Sequence, residues 1–338
     1  MLPLDNRGRT VQAHGGGMLP WGGRFYWVGE GAKPGCTPGI FGDGCWPREL
    51  ELSQDINLYS SADLFAWTFE GTLINQAGIR DMPCGGANAR THPCRMERPK
   101  ILYNEGTRKF VLVFHLDSAA FTPVPGAAYS GHVGILTADE VTGPYTWVRA
   151  LQPDGFGSYD MSVFQAKDGT AYLVRSIGAA TSDHIGVSRM APDYLDTSHT
   201  GVCSFGPRGE GVALFQAPDG SSDFYLLNSN QTWWDPNPPQ LSRAPALCGA
   251  PWRLLEQPTT GGTADITYNS QPTFVLPYHC ASGRTVLIYL GDRWNFRGPG
   301  GLTNASYVWL PLVPTEGGYQ ILNLKSWRLR DFCERSSA

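Results

Sequence analysis

Apolar positions in this chain come in short bursts, not in long stripes. Five of the bursts follow a turn containing glycine. They are Phe25-Tyr26-Trp27-Val28 after Gly22-Gly23, Phe110-Val111-Leu112-Val113-Phe114 after Glu105-Gly106, and Ala171-Tyr172-Leu173-Val174 after Asp168-Gly169, followed by Phe224-Tyr225-Leu226-Leu227 after Asp219-Gly220 and Thr285-Val286-Leu287-Ile288-Tyr289 after Ser282-Gly283. Aromatic and β-branched runs of this length behind a turn signal read as strands of hairpins. No stretch sustains a helical period. Counting back from the glycine of each turn reaches His14, Glu97, Asp160, Glu210 and Gln271, at offsets of 9, 9, 9, 10 and 12 residues. A polar residue at a nearly constant place ahead of each hairpin sets all five at one structural level.

Behind each hairpin the pattern predicts further strands. These are Ile56–Ser60 with Phe65-Ala66-Trp67, Val133–Leu136 with Tyr145-Thr146-Trp147, Ile185–Ser188, Trp252–Leu255, and Tyr307–Leu310 with Gln320-Ile321-Leu322. Self-similarity at a period of roughly 50 to 80 residues points to a propeller or array. We therefore expect an all-β fold, a single five-bladed β-propeller over residues 8–328 with four antiparallel strands per blade, and residues 329–338 as a C-terminal tail. In a propeller the first strand of every blade lines the central channel, so the leading residues meet at one end of it. Two polar insertions rich in Gly, Pro and Cys, Gly29 to Ser53 and Gly71 to Arg95, flank the outer strands of the first blade. Loops of this length usually form the rim or lid of a site.

Composition narrows the classes. With 41 Gly, 26 Pro and 12% aromatic residues against 17% charged, the 338 residues suit short strands and tight turns. A net charge of -4 with scattered Lys and Arg gives no footprint for nucleic acid. No apolar run is long enough to cross a membrane. The even set Cys36, Cys45, Cys84, Cys94, Cys203, Cys248, Cys280 and Cys333 includes two close pairs in glycine-rich loops, which suits disulfide-closed loops. The sequons Asn230-Gln231-Thr232 and Asn304-Ala305-Ser306 agree with secretion. We expect an extracellular monomer whose leader peptide lies outside this sequence. The cysteine spacing lacks C-x-x-C and a following histidine, so neither metal nor cofactor is expected.

The chemistry is carried by the ring. Glu97, Asp160 and Glu210 would crowd like charges into a concavity, raising at least one pKa so that the group keeps a proton near neutral pH. Glycoside hydrolysis needs such a group to protonate the leaving oxygen, and a second group to activate water or attack. The competing reading has these carboxylates paired with Arg98 or Arg293 to tie blades together. His14 reads either as a base or as a histidine bonded within the channel. Glu30, where Tyr26-Trp27-Val28-Gly29-Glu30 leaves its strand, can reach a sugar hydroxyl. Trp233 and Trp234 offer flat faces for a sugar or for the core. Asp292-Arg293-Trp294 follows the last hairpin and suggests an ion pair beside the site.

Taken together, Gln12-Ala13-His14-Gly15, the Tyr26–Glu30 strand end, Met96-Glu97-Arg98-Pro99-Lys100, Tyr159-Asp160-Met161-Ser162-Val163-Phe164, Asn269-Ser270-Gln271 and Gly291-Asp292-Arg293-Trp294 resemble glycoside hydrolase family 43, in particular its exo-β-1,3-galactanase branch. The similarity runs over about residues 8 to 328. It implies release of galactose from the non-reducing ends of β-1,3-galactan, the carrier of arabinogalactan side chains, with inversion. By the same resemblance Glu210 is the general acid, and Asp160 is the neighbour that tunes and orients it. Glu30, Glu97 and Gln271 bind the terminal galactose, and Gln271 also holds the attacking water. His14, Trp234, Asp292 and Arg293 complete the expected sugar contacts. The aspartate base of the wider family has no counterpart in Gln12-Ala13-His14, as is usual in this branch. Two alternatives remain at this stage: an α-L-arabinofuranosidase or β-xylosidase of the same family, and a galactan-binding propeller without catalysis.

Overall fold

The structure, a computed structural model, describes residues 3–31, 55–75, 77, 79–88, 94–121, 130–177, 184–218, 220–295 and 304–334. Cys36 and Cys45, most of the first insertion and the Asp219 half of one turn lie outside the described residues. Five four-stranded antiparallel sheets follow one another along the chain, each in simple sequential order. Blade 1 comprises β1 (His14–Trp21), β2 (Arg24–Gly31), β3 (Asp55–Ser61) and β4 (Thr68–Ile74). Blade 2 comprises β5 (Arg95–Asn104), β6 (Lys109–Asp117), β7 (His132–Ala138) and β8 (Thr146–Leu151). Blade 3 is β9 (Met161–Gln165), β10 (Ala171–Ser176), β11 (His184–Arg189) and β12 (Ser204–Arg208). Blade 4 is β13 (Glu210–Gln216), β14 (Phe224–Ser229), β15 (Pro239–Ala244) and β16 (Arg253–Leu254). Blade 5 is β17 (Gln271–His279), β18 (Thr285–Arg293), β19 (Ser306–Thr315) and β20 (Gly318–Ile321). The five-bladed propeller expected from the sequence is the observed fold.

Each apolar burst is the second strand of a blade, and its alternation feeds two cores at once. Phe110, Leu112 and Phe114 of β6 pack toward blade 1 with Ile56 and Leu58, whereas Val111 and Val113 pack toward blade 3 with Val163 and Leu173. Successive side chains on a strand point to opposite faces, so a run without polar interruption marks a strand covered on both sides. Similar clusters fill the gaps between blades 3 and 4, 4 and 5, and 5 and 1. Every fully buried Leu or Val contributes about 1.5–3 kcal/mol relative to exposure.

The ring closes between blades 1 and 5 without a shared strand. Tyr307 of β19 accepts from the Ala13 amide at 2.8 Å, and Asp292 of β18 accepts from the Gly15 amide at 3.0 Å. The C-terminal segment expected as a tail is a helical turn, Leu329–Cys333, whose Phe332 is buried and whose Cys333 is bonded to Cys280. Cys84 pairs with Cys94 as the spacing suggested, and Cys203 pairs with Cys248. Three disulfides among the described residues suit an oxidising compartment.

Some outer strands differ from expectation. Phe65-Ala66 is a bend, with Phe65 89% exposed, Trp67 is buried and makes an isolated bridge to Asp5, and the fourth strand begins only at Thr68. The cause is Asp63, whose Oδ1 accepts from the amides of Phe65 and Ala66, each at 2.8 Å, and bends the chain there. Strands β12 and β15 carry no apolar burst and escaped the pattern, because Pro, Ser and Arg interrupt both of them.

Candidate active site

His14, Glu97, Glu210 and Gln271 stand at the same end of their inner strands, with Asp160 one residue ahead of β9. The register pairs them with the ends of the second strands: His14 with Glu30, Glu97 with His115, Glu210 with Ser229, and Gln271 with Asp292. Immediately inside the leading residue, β1, β5, β13 and β17 each slip register. Such bulges re-aim side chains at barrel rims and sites. In three of them the next residue is left-handed: Gly15 (φ 58°), Arg98 (φ 55°) and Gly211 (φ 59°). A Cβ on Gly15 would lie 2.2 Å from Glu30 Oε1, and one on Gly211 would lie 2.7 Å from Gln271 Cγ. The two glycines are therefore required both by conformation and by space.

Arg98 is the one non-glycine among the three, and it organises the centre. Its Nε and Nη2 donate to the two oxygens of Asp160 at 3.1 and 2.7 Å. Nη2 also reaches Gln271 Oε1 at 2.5 Å, and the Arg98 amide reaches Glu30 Oε1 at 3.2 Å. Strand ends from blades 1, 3 and 5 are thus tied to one residue of blade 2, the last two through its guanidinium and the first through its amide. Asp160 Oδ2 accepts in addition from the Gly211 amide at 2.8 Å, which places it directly beside Glu210. Below Arg98, Lys100 is 1% exposed and donates to the carbonyls of Gly15 at 2.8 Å and Arg98 at 3.3 Å. Burial, with Arg98 adjacent, brings its ammonium down to about 7. Beyond Lys100 the channel opens toward the opposite face as an apolar cavity of about 400 Å³ lined by Met18, Leu102, Val163, Leu214 and Leu276.

The three ring carboxylates fall into different environments. Burial works against a charge on Glu97, but Arg95 Nε at 2.7 Å and His115 Nδ1 at 3.0 Å outweigh it and hold the carboxyl well below the usual range. His115 in turn is kept charged, its pKa raised to about 10 against the effect of burial by Asp117 and Glu97 on either side. Asp160 is tied to Arg98. Glu210 makes no ion pair among the described residues, and burial followed by the charge of Asp160 pushes its carboxyl up to about 8. Its Oε1 accepts from the amides of Thr232 at 3.0 Å and Trp233 at 2.8 Å, with Gln271 Nε2 at 3.4 Å. A proton on this group therefore sits on Oε2.

Gln271 is held on every side. Its oxygen accepts from Arg98 and from Trp294 Nε1 at 2.9 Å, and its nitrogen also donates to Ser229 Oγ at 3.3 Å and Trp233 O at 3.2 Å. The residues before it, Thr267, Tyr268 and Asn269, have φ of 51°, 55° and 61°. Three consecutive left-handed residues are costly, and such strain concentrates at functional sites. Thr267 Oγ1 anchors the run to the carbonyl of Asn237 at 2.6 Å.

The remaining candidates take other places. His14 is 2% exposed and Asp292 1%. His14 Nδ1 lies 3.3 Å from Asp292 Oδ1, its Nε2 lies 3.1 Å from Gln12 Oε1, and its ring stacks on Tyr307 at 4.9 Å. Both residues thus join blade 1 to blade 5. Asp292 and Arg293 do not pair with each other, because neighbours on a strand face opposite ways: Arg293 donates to the Tyr268 carbonyl at 3.3 Å. Trp234 sits in a narrow cleft with Gln271, Asp292 and Trp294. Sequence reasoning took Arg98 only as a possible tie and missed His115, Trp294 and the Thr232–Trp233 amides. Backbone donors leave no residue signature. Among the described residues, no group of three His, Cys, Asp or Glu is placed to hold a metal.

A five-bladed propeller whose inner strand ends gather one raised and two paired carboxyl groups has the scaffold and site chemistry of a glycoside hydrolase. Solved structures similar to the chain include β-1,3-galactosidases and exo-β-1,3-galactanases, of glycoside hydrolase family 43 where a family is stated. A family-43 β-1,3-galactosidase bound to galactodeoxynojirimycin is 25% identical with a TM-score of 0.79, over 97% of this chain and 99% of that one. An exo-β-1,3-galactanase from Phanerochaete chrysosporium, solved as a Glu-to-Gln variant with β-1,3-galactotriose, is 28% identical with a TM-score of 0.75, over 96% of this chain. The exo-β-1,3-galactanase from Clostridium thermocellum is 26% identical with a TM-score of 0.75, over 95% of this chain. The chain spans 65% and 64% of the length of the latter two. No family model matches the sequence, and no curated protein does.

Proposed function

We propose that this protein is a secreted exo-acting glycosidase that releases galactose from the non-reducing ends of β-1,3-galactan with inversion, Glu210 serving as general acid. The observation that carries the reading is the contrast among the ring carboxylates: Glu210, raised to about 8, is the one that keeps its proton at neutral pH. The proton on Oε2 passes to the glycosidic oxygen as the C1–O bond breaks, and water closes on C1 from the other face. Asp160 supports Glu210 by raising its pKa and by holding the Gly211 amide. Inversion fits because the carboxylates that could serve a retaining enzyme as nucleophile are engaged: Asp160 by Arg98 on both oxygens, Glu97 by Arg95 and His115, and Glu30 Oε1 by the Arg98 amide. Glu97, held ionised, is an acceptor for a sugar hydroxyl, with Glu30 beside it.

A second reading has a specific observation behind it. Gln271, expected to hold the attacking water, already makes protein hydrogen bonds through both ends of its amide, which favours a propeller that binds galactan without cleaving it. Proton NMR of the protein with β-1,3-galactotriose separates the two. Early α-galactose that disappears in Glu210→Gln supports the enzyme; saturable binding with no galactose released refutes it.

A further inference from the structure

The β14–β15 connection, residues 230–238, is bound to the site more closely than a surface loop requires. Asn237 braces it from within: its Oδ1 accepts from the Asn230 amide at 2.9 Å, and its Nδ2 donates to the Asn230 carbonyl at 2.9 Å and to Thr232 Oγ1 at 2.5 Å. Outside, Arg208 Nε holds Gln231 Oε1 at 3.1 Å. The braced loop delivers two amides to Glu210 Oε1, the second being that of Trp233. Trp233 is left-handed (φ 61°), yet its side chain is 58% exposed. A large aromatic residue in a strained conformation is not held there by burial. Trp234 next to it lines the cleft with Gln271 and Trp294, and the two indoles meet edge to face with their centroids 6.2 Å apart.

We propose that Trp233 is the platform for the aglycone, the sugar unit on the leaving side of the scissile bond. This rests on the glycosidase reading above. A general acid lies beside the glycosidic oxygen, so the departing ring must sit on the acid's side of the site. Trp233 is one backbone hydrogen bond from that carboxyl, and its exposed indole borders the cleft through its edge contact with Trp234, on the rim where the aglycone must leave. The apolar face of a pyranose stacks on an indole, whereas the terminal galactose is met by Glu97 and Glu30, which accept hydroxyls. Aglycone recognition is thereby built into the segment that supports the acid, and the preferred substrate is a galactosyl unit linked to another pyranose.

The test compares β-1,3-galactotriose with β-galactosyl fluoride. Fluoride departs as an anion when C1–F breaks, needs no proton from Glu210 and has no ring to stack. In Trp233→Ala the ratio of kcat/KM for galactotriose to that for the fluoride is expected to fall roughly tenfold, the worth of one aromatic stacking contact. Trp233→Phe, which keeps a ring, should recover most of the ratio. An unchanged ratio in Trp233→Ala, whether both rates fall together or neither falls, overturns the platform role. If the wild-type protein hydrolyses neither compound, the glycosidase reading itself fails. Cleavage of both by wild type, with loss of galactotriose cleavage alone in Glu210→Gln, upholds that reading whatever Trp233→Ala does.

Discussion

Replacing Asp160 by Asn keeps the size of the side chain but removes its charge and one of the two oxygens that accept from Arg98. In the wild-type protein, burial and then Asp160 raise the Glu210 carboxyl to about 8, against Arg98. The group must be protonated to act as an acid, so kcat/KM is sustained below about 8 and falls as pH rises through that value. Two unit charges ~6 Å apart in an effective dielectric of ~20 repel by about 2.8 kcal/mol, or about two pKa units. The substitution also leaves Arg98, now 2.7 Å from the Asp160 carboxylate, without its counter-charge and facing Glu210. Both changes favour the ionised acid. The alkaline limb of the profile should therefore move down by about two units. Its plateau should fall as well, because the Gly211 amide loses a charged acceptor. Initial rates of galactose release from β-1,3-galactotriose across the pH range provide the assay. A limb that stays in place, or moves up, would show that Asp160 does not set the Glu210 proton.

Two further outcomes follow from the packing. Gly211→Ala puts a methyl 2.7 Å from Gln271 Cγ and 2.9 Å from Ser229 Oγ at φ 59°, so it should cost about 1–3 kcal/mol and most of the activity. The paired control is Gly169→Ala, also left-handed but with open space around it, which should lower the melting temperature slightly and leave turnover intact; equal losses in both would contradict the crowding argument. Removing the Cys280–Cys333 bridge with a double Ser variant opens a loop of 53 residues and frees the C-terminal helix, for an expected loss of about 4 kcal/mol in denaturant unfolding. A midpoint equal to wild type would mean that the helix holds without the bridge.

Much of the fold is local and was legible. A turn followed by an apolar burst recurs five times because the second strand of each blade is covered on both faces, and such a strand must be apolar without interruption. The near-constant offset to His14, Glu97, Asp160, Glu210 and Gln271 reflects an inner strand and its turn repeated around the ring, so their common level could be counted although the strands run from 5 to 10 residues. Strands β12 and β15 were not legible, since Pro, Ser and Arg break any apolar burst in them. Phe65-Ala66-Trp67 misled the pattern because one side chain, Asp63, turns the backbone before the strand can start.

Residue order thus settles which polar groups arrive at the mouth of the channel, but not what each becomes there. Glu97, Asp160 and Glu210 are alike in sequence position and are separated only by their surroundings: Arg95 with His115 beside the first, Arg98 beside the second, and burial next to the charge of Asp160 for the third. His14 and Asp292 are far apart in the chain and become partners because the ring brings its first and last blades together. Protonation depends on burial and on charges a few ångströms away, and those distances exist only once five blades have met. For that reason the ring of polar residues could be read from the chain, while the choice of Glu210 as the group that keeps its proton belongs to the assembled propeller.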